Sequence, residues 1–229
     1  MNDIKEVNGP EIYLQLPEII KSEFKSVVDM IEKCKEYVKG IITSNAGIIN
    51  IYRGKLKIIG DYKLNVFNKE AFKFYREDIE NVSLSLELNR REIKELLKNK
   101  IDGAVYQVYG KTELMVSEYC PIGSTFGGKN KQKDCNLACT RDRFTLIDEV
   151  NEKFRVMTDV FCRSHILNSV PLNLIGEKEE LKFMGIDTFR IDFKDESQED
   201  VRNVISMFND EEKIESKYYT KGCYRRGVE

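Results

Sequence analysis

Short apolar runs recur along this chain and alternate with amphipathic segments. Each run is four to six residues long, is rich in Ile, Val, Leu and aromatic residues, and is bounded by turn residues. Runs of this kind are typical of buried parallel strands. The pattern predicts strands over residues 12–16, 40–43, 57–60, 82–86, 104–109, 154–158 and 188–193.

The amphipathic segments between these runs predict helices. Asn68 is a plausible N-cap for one of them, and Asn89 followed by Glu92 has the spacing of a capping box. Strands that alternate with helices imply an α/β fold with a mainly parallel sheet and right-handed crossovers. The pattern alone is compatible with an open doubly wound sheet or with a (β/α) barrel. The predicted helices cover residues 21–38, 68–75, 89–97, 177–184 and 198–208.

Polar residues follow several predicted strands. Asp61 and Asn65 come after the strand at 57–60, and Glu87 comes after the strand at 82–86. Parallel sheets place their active sites at the carboxyl ends of their strands. These three residues are therefore candidates for lining a site, with an ordinary role as loop or cap residues as the alternative.

The alternation of strands and helices breaks between residues 110 and 154. About forty residues there carry no clear helical pattern, and a long segment of this kind in a compact domain is usually functional. Ordering it would cost about 1–2 kcal/mol of backbone entropy per residue. A metal group that cross-links the segment would offset that cost. We therefore expect an inserted Cys-rich loop over 110–154.

Four cysteines lie in or just after this segment, at positions 120, 135, 139 and 162, separated by fourteen, three and twenty-two residues. Four thiolates suit a tetrahedral zinc site or a cubane iron–sulfur cluster. Zinc sites usually show two tight pairs, whereas one tight pair with two distant single cysteines suits a site built from several loops. The spacing favours iron–sulfur over zinc, and buried inert thiols remain the alternative.

Two further side chains lie beside the last of these cysteines. His165 is the only histidine of the chain and is a candidate proton donor, with a structural histidine bonded to backbone as the alternative. Arg163 follows Cys162 directly, and a guanidinium there suits recognition of a carboxylate or phosphate. A salt-bridged Arg163 is the alternative.

Composition bounds the class of protein. The chain has 229 residues, 41% of them hydrophobic and 33% charged, with a formal net charge of −2. This length can bury one substantial core, so we expect a single domain over 1–229. The balance is typical of a cytoplasmic protein, and no apolar run approaches the roughly 18 residues of a membrane span. The net charge does not indicate nucleic-acid binding over the whole surface.

Several segments together resemble peptidase family U32, the collagenase-like proteins. The similarity is most specific around the cysteines, and it extends over nearly the whole chain. The matching segments are residues 61–68, 84–89, 114–123, 135–139, 141–148, 159–169 and 219–229.

The resemblance implies a partial (β/α) TIM-like barrel that lacks the first βα units of the family's domain, completed where necessary by a partner chain. It also implies a [4Fe–4S] cluster on Cys120, Cys135, Cys139 and Cys162, with zinc as the alternative. Asp61, Asn65, Glu87, Arg163 and His165 would then be the catalytic or cavity-lining residues.

The function implied by the resemblance is an iron–sulfur hydroxylase or modification enzyme that acts on RNA or on a small anionic aromatic molecule. Two other functions stay open at this point. One is the peptidase activity in the family's name, although the chain has no Gly-x-Ser-x-Gly or His-Glu-x-x-His motif. The other is a non-catalytic, metal-binding remnant.

Overall fold

The computed structural model describes residues 9–98, 101–129, 134–210 and 218–228. The chain divides into two compact units. Unit 1 comprises Met1–Val108, Gly176–Arg190 and Lys221–Glu229, and unit 2 comprises Tyr109–Ile175 and Ile191–Thr220. Each unit is built from its own strands and helices. The described strands are β1 (Tyr13–Gln15), β2 (Gly40–Thr43), β3 (Lys57–Gly60), β4 (Asn81–Ser83), β5 (Ala104–Gly110), β6 (Glu113–Ser117), β7 (Phe144–Ile147), β8 (Lys153–Thr158), β9 (Ser164–Leu167), β10 (Leu172–Asn173) and β11 (Thr188–Ile191).

Several helices begin at an asparagine whose side chain satisfies a free backbone N–H group. Asn45 accepts a hydrogen bond from the N–H of Ile48, and Asn68 accepts one from the N–H of Ala71. Asn89 forms the capping box predicted from the sequence. The described helices are α1 (Phe24–Cys34), α2 (Ala46–Tyr52), α3 (Lys69–Arg76), α4 (Arg90–Leu96), α5 (Pro121–Thr125), α6 (Lys178–Met184) and α7 (Gln198–Phe208).

Unit 1 is a parallel β/α array. Strands β1 to β5 lie side by side in chain order, and each pairs in parallel with the next. The strands approach closely at Gly40, where a Cβ would lie 2.3 Å from the carbonyl oxygen of Lys57, so only glycine fits there. The predicted α/β class is confirmed, and this alternation is compatible with part of a barrel.

The core of unit 1 lies between the sheet and its helices. Ile41 of β2, Ile31 of α1 and Phe72 of α3 are completely buried. Removing such side chains from water stabilises the unit by about 1.5–3 kcal/mol each. The seven residues of β5 are all buried, which explains why this strand reads as a continuous apolar run rather than an alternating one.

Strand β11 pairs with β5. Asp187, just before β11, accepts hydrogen bonds from the N–H groups of Gly103 and Ala104 at 2.6 and 3.2 Å. The last two residues of β5, Tyr109 and Gly110, belong to unit 2 and pair antiparallel with β10 there.

Unit 2 contains a four-stranded antiparallel sheet in the order β6–β9–β8–β7. Ser117 of β6 is in register with Ser164 of β9, and Phe144 of β7 is in register with Val156 of β8. Residues 110–154 were expected to be irregular, and this is wrong for β6, α5 and β7, which all lie inside that range. The strand that pairs with β6 lies beyond residue 154, so local sequence did not reveal the pairing.

Unit 2 also contains α7, which has the bounds predicted from the sequence. Ser197 and Asp200 form a capping box at its start. In the part of the chain that the structure describes, no helix is both long and apolar enough to cross a membrane.

Candidate functional site

All four central cysteines are attached to the same end of the antiparallel sheet of unit 2. The carboxyl end of β6, the amino end of β9, the carboxyl end of β8 and the amino end of β7 meet there, as the registers require. Cys120 follows β6, Cys135 and Cys139 precede β7, and Cys162 lies in the connection from β8 to β9. We call this edge the cysteine end of the sheet.

Cys120 starts helix α5. Its side chain caps the helix, because Sγ accepts a hydrogen bond of 3.2 Å from the backbone N–H of Gly123. Pro121 occupies the first helical position, where its missing N–H costs nothing. The residue is 7% exposed. The sequence Cys-Pro-Ile-Gly therefore fixes the sulfur at a short helix start with an N–H donor directed to it.

Two glycines allow the chain to pack closely against the sulfurs of Cys120 and Cys135. A Cβ on Gly123 would lie 3.3 Å from Sγ of Cys120 and 3.6 Å from Sγ of Cys135, so both sulfurs border the same small region. A Cβ on Gly127 would lie 2.8 Å from Sγ of Cys135 and 2.7 Å from the backbone of Gly123. A side chain at Gly127 would displace the sulfur of Cys135 or the backbone of Gly123, whereas one at Gly123 would require only a small shift of its neighbours.

Backbone contacts hold the segment around Cys135 against α5. The N–H of Asn136 donates to the carbonyl of Gly127 at 3.0 Å, and its side-chain amide donates to the carbonyl of Phe126 at 3.1 Å. Cys139 packs with Phe144 against a small buried cluster. That cluster consists of Cys120, Ile122, Ala138 and Val156.

Cys162 lies in a tight turn between β8 and β9. Its φ of 61° is in the left-handed region, which a non-glycine residue adopts only when its surroundings impose it. Asp159 organises the turn by accepting hydrogen bonds from the N–H groups of Phe161 and Arg163 at 2.9 and 2.8 Å. Cys162 is exposed.

Arg163 is 3% exposed although it carries a full charge. Its guanidinium lies over the ring of Phe161 at 4.9 Å and has Nη1 3.7 Å from Oδ2 of Asp159. Burial of an arginine is costly unless anionic or aromatic groups surround it. The sequence predicted Arg163 as a site residue, and the structure puts it beside Cys162 at the cysteine end.

His165 lies on β9 between two carboxylates. Nδ1 makes a close contact with Oε1 of Glu113, and Nε2 lies 3.7 Å from Oδ2 of Asp159. The Glu113 side chain is only 6% exposed, and Nζ of Lys194 lies 3.9 Å from its second oxygen. A histidine held in this way has a fixed ring orientation and can take or give a proton.

Metal ligation needs at least three donors close together. Among the described residues, no group of three or more His, Cys, Asp or Glu side chains could hold a metal ion. The sulfurs of Cys120 and Cys135 share the region beside Gly123. The two cysteines outside the central four, Cys34 and Cys223, belong to unit 1. Burial, with a smaller effect from the charge of Glu87, raises the pKa of the Cys223 thiol.

Asp61 and Arg190 form a buried ion pair in unit 1. Nη1 of Arg190 donates to Oδ2 of Asp61 at 2.7 Å, and the N–H of Lys63 donates to Oδ1 at 3.1 Å. The Arg190 guanidinium also lies 5.5 Å from the ring centre of Tyr62. Asp61 thus caps the short 3₁₀ turn that follows β3.

Asn65 and Glu87 lie near the ends of β3 and β4. Asn65 ends the 3₁₀ turn with a φ of 56° and accepts a hydrogen bond of 3.1 Å from the hydroxyl of Ser85. The Ser85 hydroxyl in turn accepts one from the N–H of Glu87, whose side chain is exposed. The structure joins Asn65 and Glu87 through Ser85, while Arg163 and His165 belong to unit 2.

Three residues that contact the candidate site residues were not identified from the sequence. They are Glu113 and Asp159, which flank His165, and Arg190, which pairs with Asp61. Each is a charged residue within or beside a strand, which is a signal of pairing because strands bury half or more of their side chains. The partners lie far away in the sequence, and local pattern does not reveal them.

Comparison with known families gives one match over most of the chain. The family model described as Peptidase family U32 matches residues 4–220. A curated relative, the "Uncharacterized protease MJ0090" of Methanocaldococcus jannaschii, is 24% identical over 226 residues. That alignment covers 93% of this chain and 54% of the relative, so the chain spans about half the length of the curated protein it matches.

Two solved structures show weaker similarity. The U32 peptidase Mk0906 aligns with a TM-score of 0.37 and 11% identity, over 44% of this chain and 47% of that protein. The spore cortex-lytic enzyme SleL of Bacillus megaterium QM B1551 aligns with a TM-score of 0.35 and 14% identity, over 79% of this chain and 55% of that protein.

Proposed function

The chain belongs to peptidase family U32, and we propose on that basis that it uses an iron–sulfur cluster at the cysteine end to hydroxylate or otherwise modify RNA or a small aromatic molecule. The observation that carries the proposal is the attachment of all four central cysteines to one end of one sheet. Cysteines with up to twenty-two residues between one and the next thereby come from strand ends at one edge of one sheet.

The residue types at the cysteine end suit such a group, although the described side chains would have to move to bring three or more of the donors together. Four thiols are the donor set of a [4Fe–4S] cluster. The N–H of Gly123 donates to the sulfur of Cys120, and hydrogen bonds to cluster sulfurs are among the features that set its reduction potential. Gly123 and Gly127 let the backbone approach the sulfurs of Cys120 and Cys135 closely. In this proposal Cys120, Cys135, Cys139 and Cys162 hold the cluster, which supplies electron transfer when bound.

The neighbouring polar residues would serve the substrate. Arg163 would offer a buried positive charge to an anionic group, since a guanidinium binds carboxylate or phosphate well. His165 would move a proton at Nε2, with Glu113 holding the opposite ring nitrogen. Glu113 acts through His165 and is therefore a positioning residue.

The proposal also includes the architecture. The β/α array of unit 1 would be part of a TIM-like barrel, with Asp61, Asn65 and Glu87 near the carboxyl ends of its strands lining the cavity. The chain covers 54% of its curated relative. The remaining βα units would then come from further sequence or from a partner chain.

The decisive experiment is anaerobic reconstitution with iron and sulfide, followed by quantitation of both. We expect about four iron and four sulfide per chain and a brown chromophore. Cys135→Ser and Cys139→Ser should lose it, because oxygen is a poorer ligand than thiolate for this cluster. Cys223→Ser in unit 1 is the matched control and should retain it. Zinc binding without iron, or equal iron in all variants, would contradict the proposal.

Peptidase activity is a second candidate. The curated relative is described as a protease, and the His165–Glu113 contact could supply the base of a hydrolytic centre. This candidate predicts cleavage of gelatin by cluster-free protein, abolished by His165→Gln. The iron–sulfur proposal predicts no such cleavage, because its activity depends on the cluster.

A further inference from the structure

A wide groove in unit 1 is lined by residues that the proposed function does not use. It is bordered by α4, by α6 and by the described residues near the C-terminus, and its volume is about 1120 Å³. Clefts for small molecules usually measure roughly 300–1,000 Å³. The groove is therefore slightly larger than such clefts and has room for a segment of a polymer.

The groove is strongly basic although the whole chain has a formal charge of −2. Its walls carry two carboxylates, Glu177 and Glu180, against six cationic side chains. These cations are Arg90, Arg91, Lys94, Lys98, Arg225 and Arg226. A concave surface with one dominant sign of charge attracts a ligand of the opposite sign.

Both carboxylates are already paired. Glu177 contacts Lys221 at 2.9 Å and Arg225 at 3.9 Å. Glu180 makes a close ion pair with Arg90 and accepts a hydrogen bond of 3.0 Å from the hydroxyl of Tyr224.

Three of the cations have no such partner. Within the described ranges, no ion pair involves Arg91, Lys94 or Arg226, and all three are exposed. Their charge is therefore available to an incoming anion.

The floor of the groove is made of buried side chains, and one exposed aromatic ring borders it. Leu97 and Tyr224 are 1% and 2% exposed, and Gly227 lies so close to Asn89 that a Cβ there would be 3.0 Å from its amide nitrogen. Phe183, in contrast, is 85% exposed. An exposed aromatic ring beside cations is the combination on which proteins stack unpaired bases.

We propose that this basic groove binds single-stranded RNA, with Arg91, Lys94 and Arg226 contacting phosphates and Phe183 stacking on a base. The inference rests on the proposed function for the choice of RNA among polyanions. In this proposal the groove holds the RNA substrate. Its lining residues lie outside the sequence segment that contains the four central cysteines.

The test is fluorescence anisotropy of a labelled 12-nucleotide oligouridylate titrated with the cluster-free full chain over a range of salt concentrations. We expect log K to fall with log salt with a slope of roughly −0.7 per phosphate contact. The double variant R91E/K94E should reduce the slope by more than one unit and weaken binding at least tenfold. Phe183→Ala should weaken binding about tenfold at any salt concentration.

Matched controls separate the groove from general charge effects. Lys25→Glu with Lys33→Glu makes the same charge change on exposed positions of α1, and Phe74→Ala removes another exposed ring, of α3. Both controls should bind RNA like the unmodified chain. Equal losses in test and control variants, or no RNA binding by the unmodified chain, would overturn the proposal.

A competition arm tests the choice of RNA. Polyglutamate at the same charge concentration should displace the RNA poorly, because it cannot stack on Phe183. Equal competition, together with no effect of Phe183→Ala, would assign the groove to an acidic peptide instead. Iron content of R91E/K94E after reconstitution should be unchanged, so failure of RNA binding is distinguishable from failure of the iron–sulfur proposal.

Discussion

Arg190 and Asp61 are joined by a hydrogen bond of 2.7 Å between Nη1 and Oδ2, and their side chains are only 12% and 8% exposed. They lie 129 residues apart in the sequence. Their contact links β11 to the turn that follows β3. Two charged groups can be buried to this extent only while both are present. Removing one leaves the other as an unpaired charge away from water, which destabilises the fold.

Replacing Arg190 with Met should therefore destabilise the protein. The variant leaves the carboxylate of Asp61 buried without its cation, and we expect a loss of about 3 kcal/mol in the free energy of unfolding. Urea denaturation measures it. Adding Asp61→Asn should recover part of the loss, because the unpaired charge is then gone.

The exposed pair of Arg53 and Asp78, at 3.1 Å, is the control. Its side chains are 52% and 35% exposed, so Arg53→Met should change stability by about 0.5 kcal/mol or less. Similar losses in the two variants would show that burial of the Asp61–Arg190 pair has no energetic consequence.

Gly127→Ala should disturb the segment around Cys135. The added methyl group would lie 2.7 Å from the backbone of Gly123 and 2.8 Å from the sulfur of Cys135. Overpacking of this kind costs about 1–3 kcal/mol, and we expect faster proteolysis of unit 2 together with a lower iron content. Gly176→Ala is the control, since a Cβ there would meet nothing within 4 Å. Wild-type protease resistance of Gly127→Ala would contradict this account.

Glu113 should fix the tautomer of His165. Because Nδ1 contacts the carboxylate, the neutral ring should carry its hydrogen on Nδ1. His165 is the sole histidine, so its ¹⁵N shifts can be read without assignment. In Glu113→Leu the preference should be lost, while iron content stays unchanged. Identical shifts in the two proteins would remove Glu113 from its positioning role.

Ser197 should stabilise α7 in a pH-dependent way. It donates hydrogen bonds to Asp200 from its hydroxyl and backbone, and these lower the pKa of that carboxyl below its ordinary value of 3.8. A lowered pKa in the folded state stabilises the protein above 3.8, and the effect is lost as the pH falls through the folded-state pKa.

Ser197→Ala should cost about 1 kcal/mol at neutral pH. The stability difference between Asp200→Asn and the unmodified chain should shrink on acidification. Urea denaturation along a pH series measures both effects. A difference that is constant across the series would exclude the contribution of the carboxylate.

Local pattern predicted the regular elements of unit 1 well and the sheet of unit 2 poorly. Strands β2 and β3 have their predicted bounds, because buried parallel strands are unbroken apolar runs. Helix α2 was missed, since most of its seven residues are apolar and show no amphipathic period. The pairing of β6 with β9 joins residues far apart in the sequence, and no local period encodes such a pairing.

The candidate site divides in the same manner. Residue type alone made Cys120, Cys135, Cys139 and Cys162 candidates, because four thiols in one region are unusual, and their role in a cluster stays a prediction. The carboxylate of Glu113 could not be assigned to His165, since β6 and β9 are neighbours only in the folded sheet. Asp61 was selected for its position after β3. Its partner Arg190 was missed because it lies in β11, 129 residues later in the sequence.

In unit 2, β6 pairs with β9 rather than with the next strand of the chain. This pairing has a consequence for how the protein folds during synthesis. β6 leaves the ribosome well before its partner β9, with α5, β7 and β8 synthesised in between. Contacts between such distant segments form slowly, because a large loop must close first. The strand end that precedes Cys120 therefore meets the turn that carries Cys162 only after synthesis has passed Leu167, and a nascent chain that stalls earlier leaves Cys162 apart from the segment that holds Cys120 and Cys135.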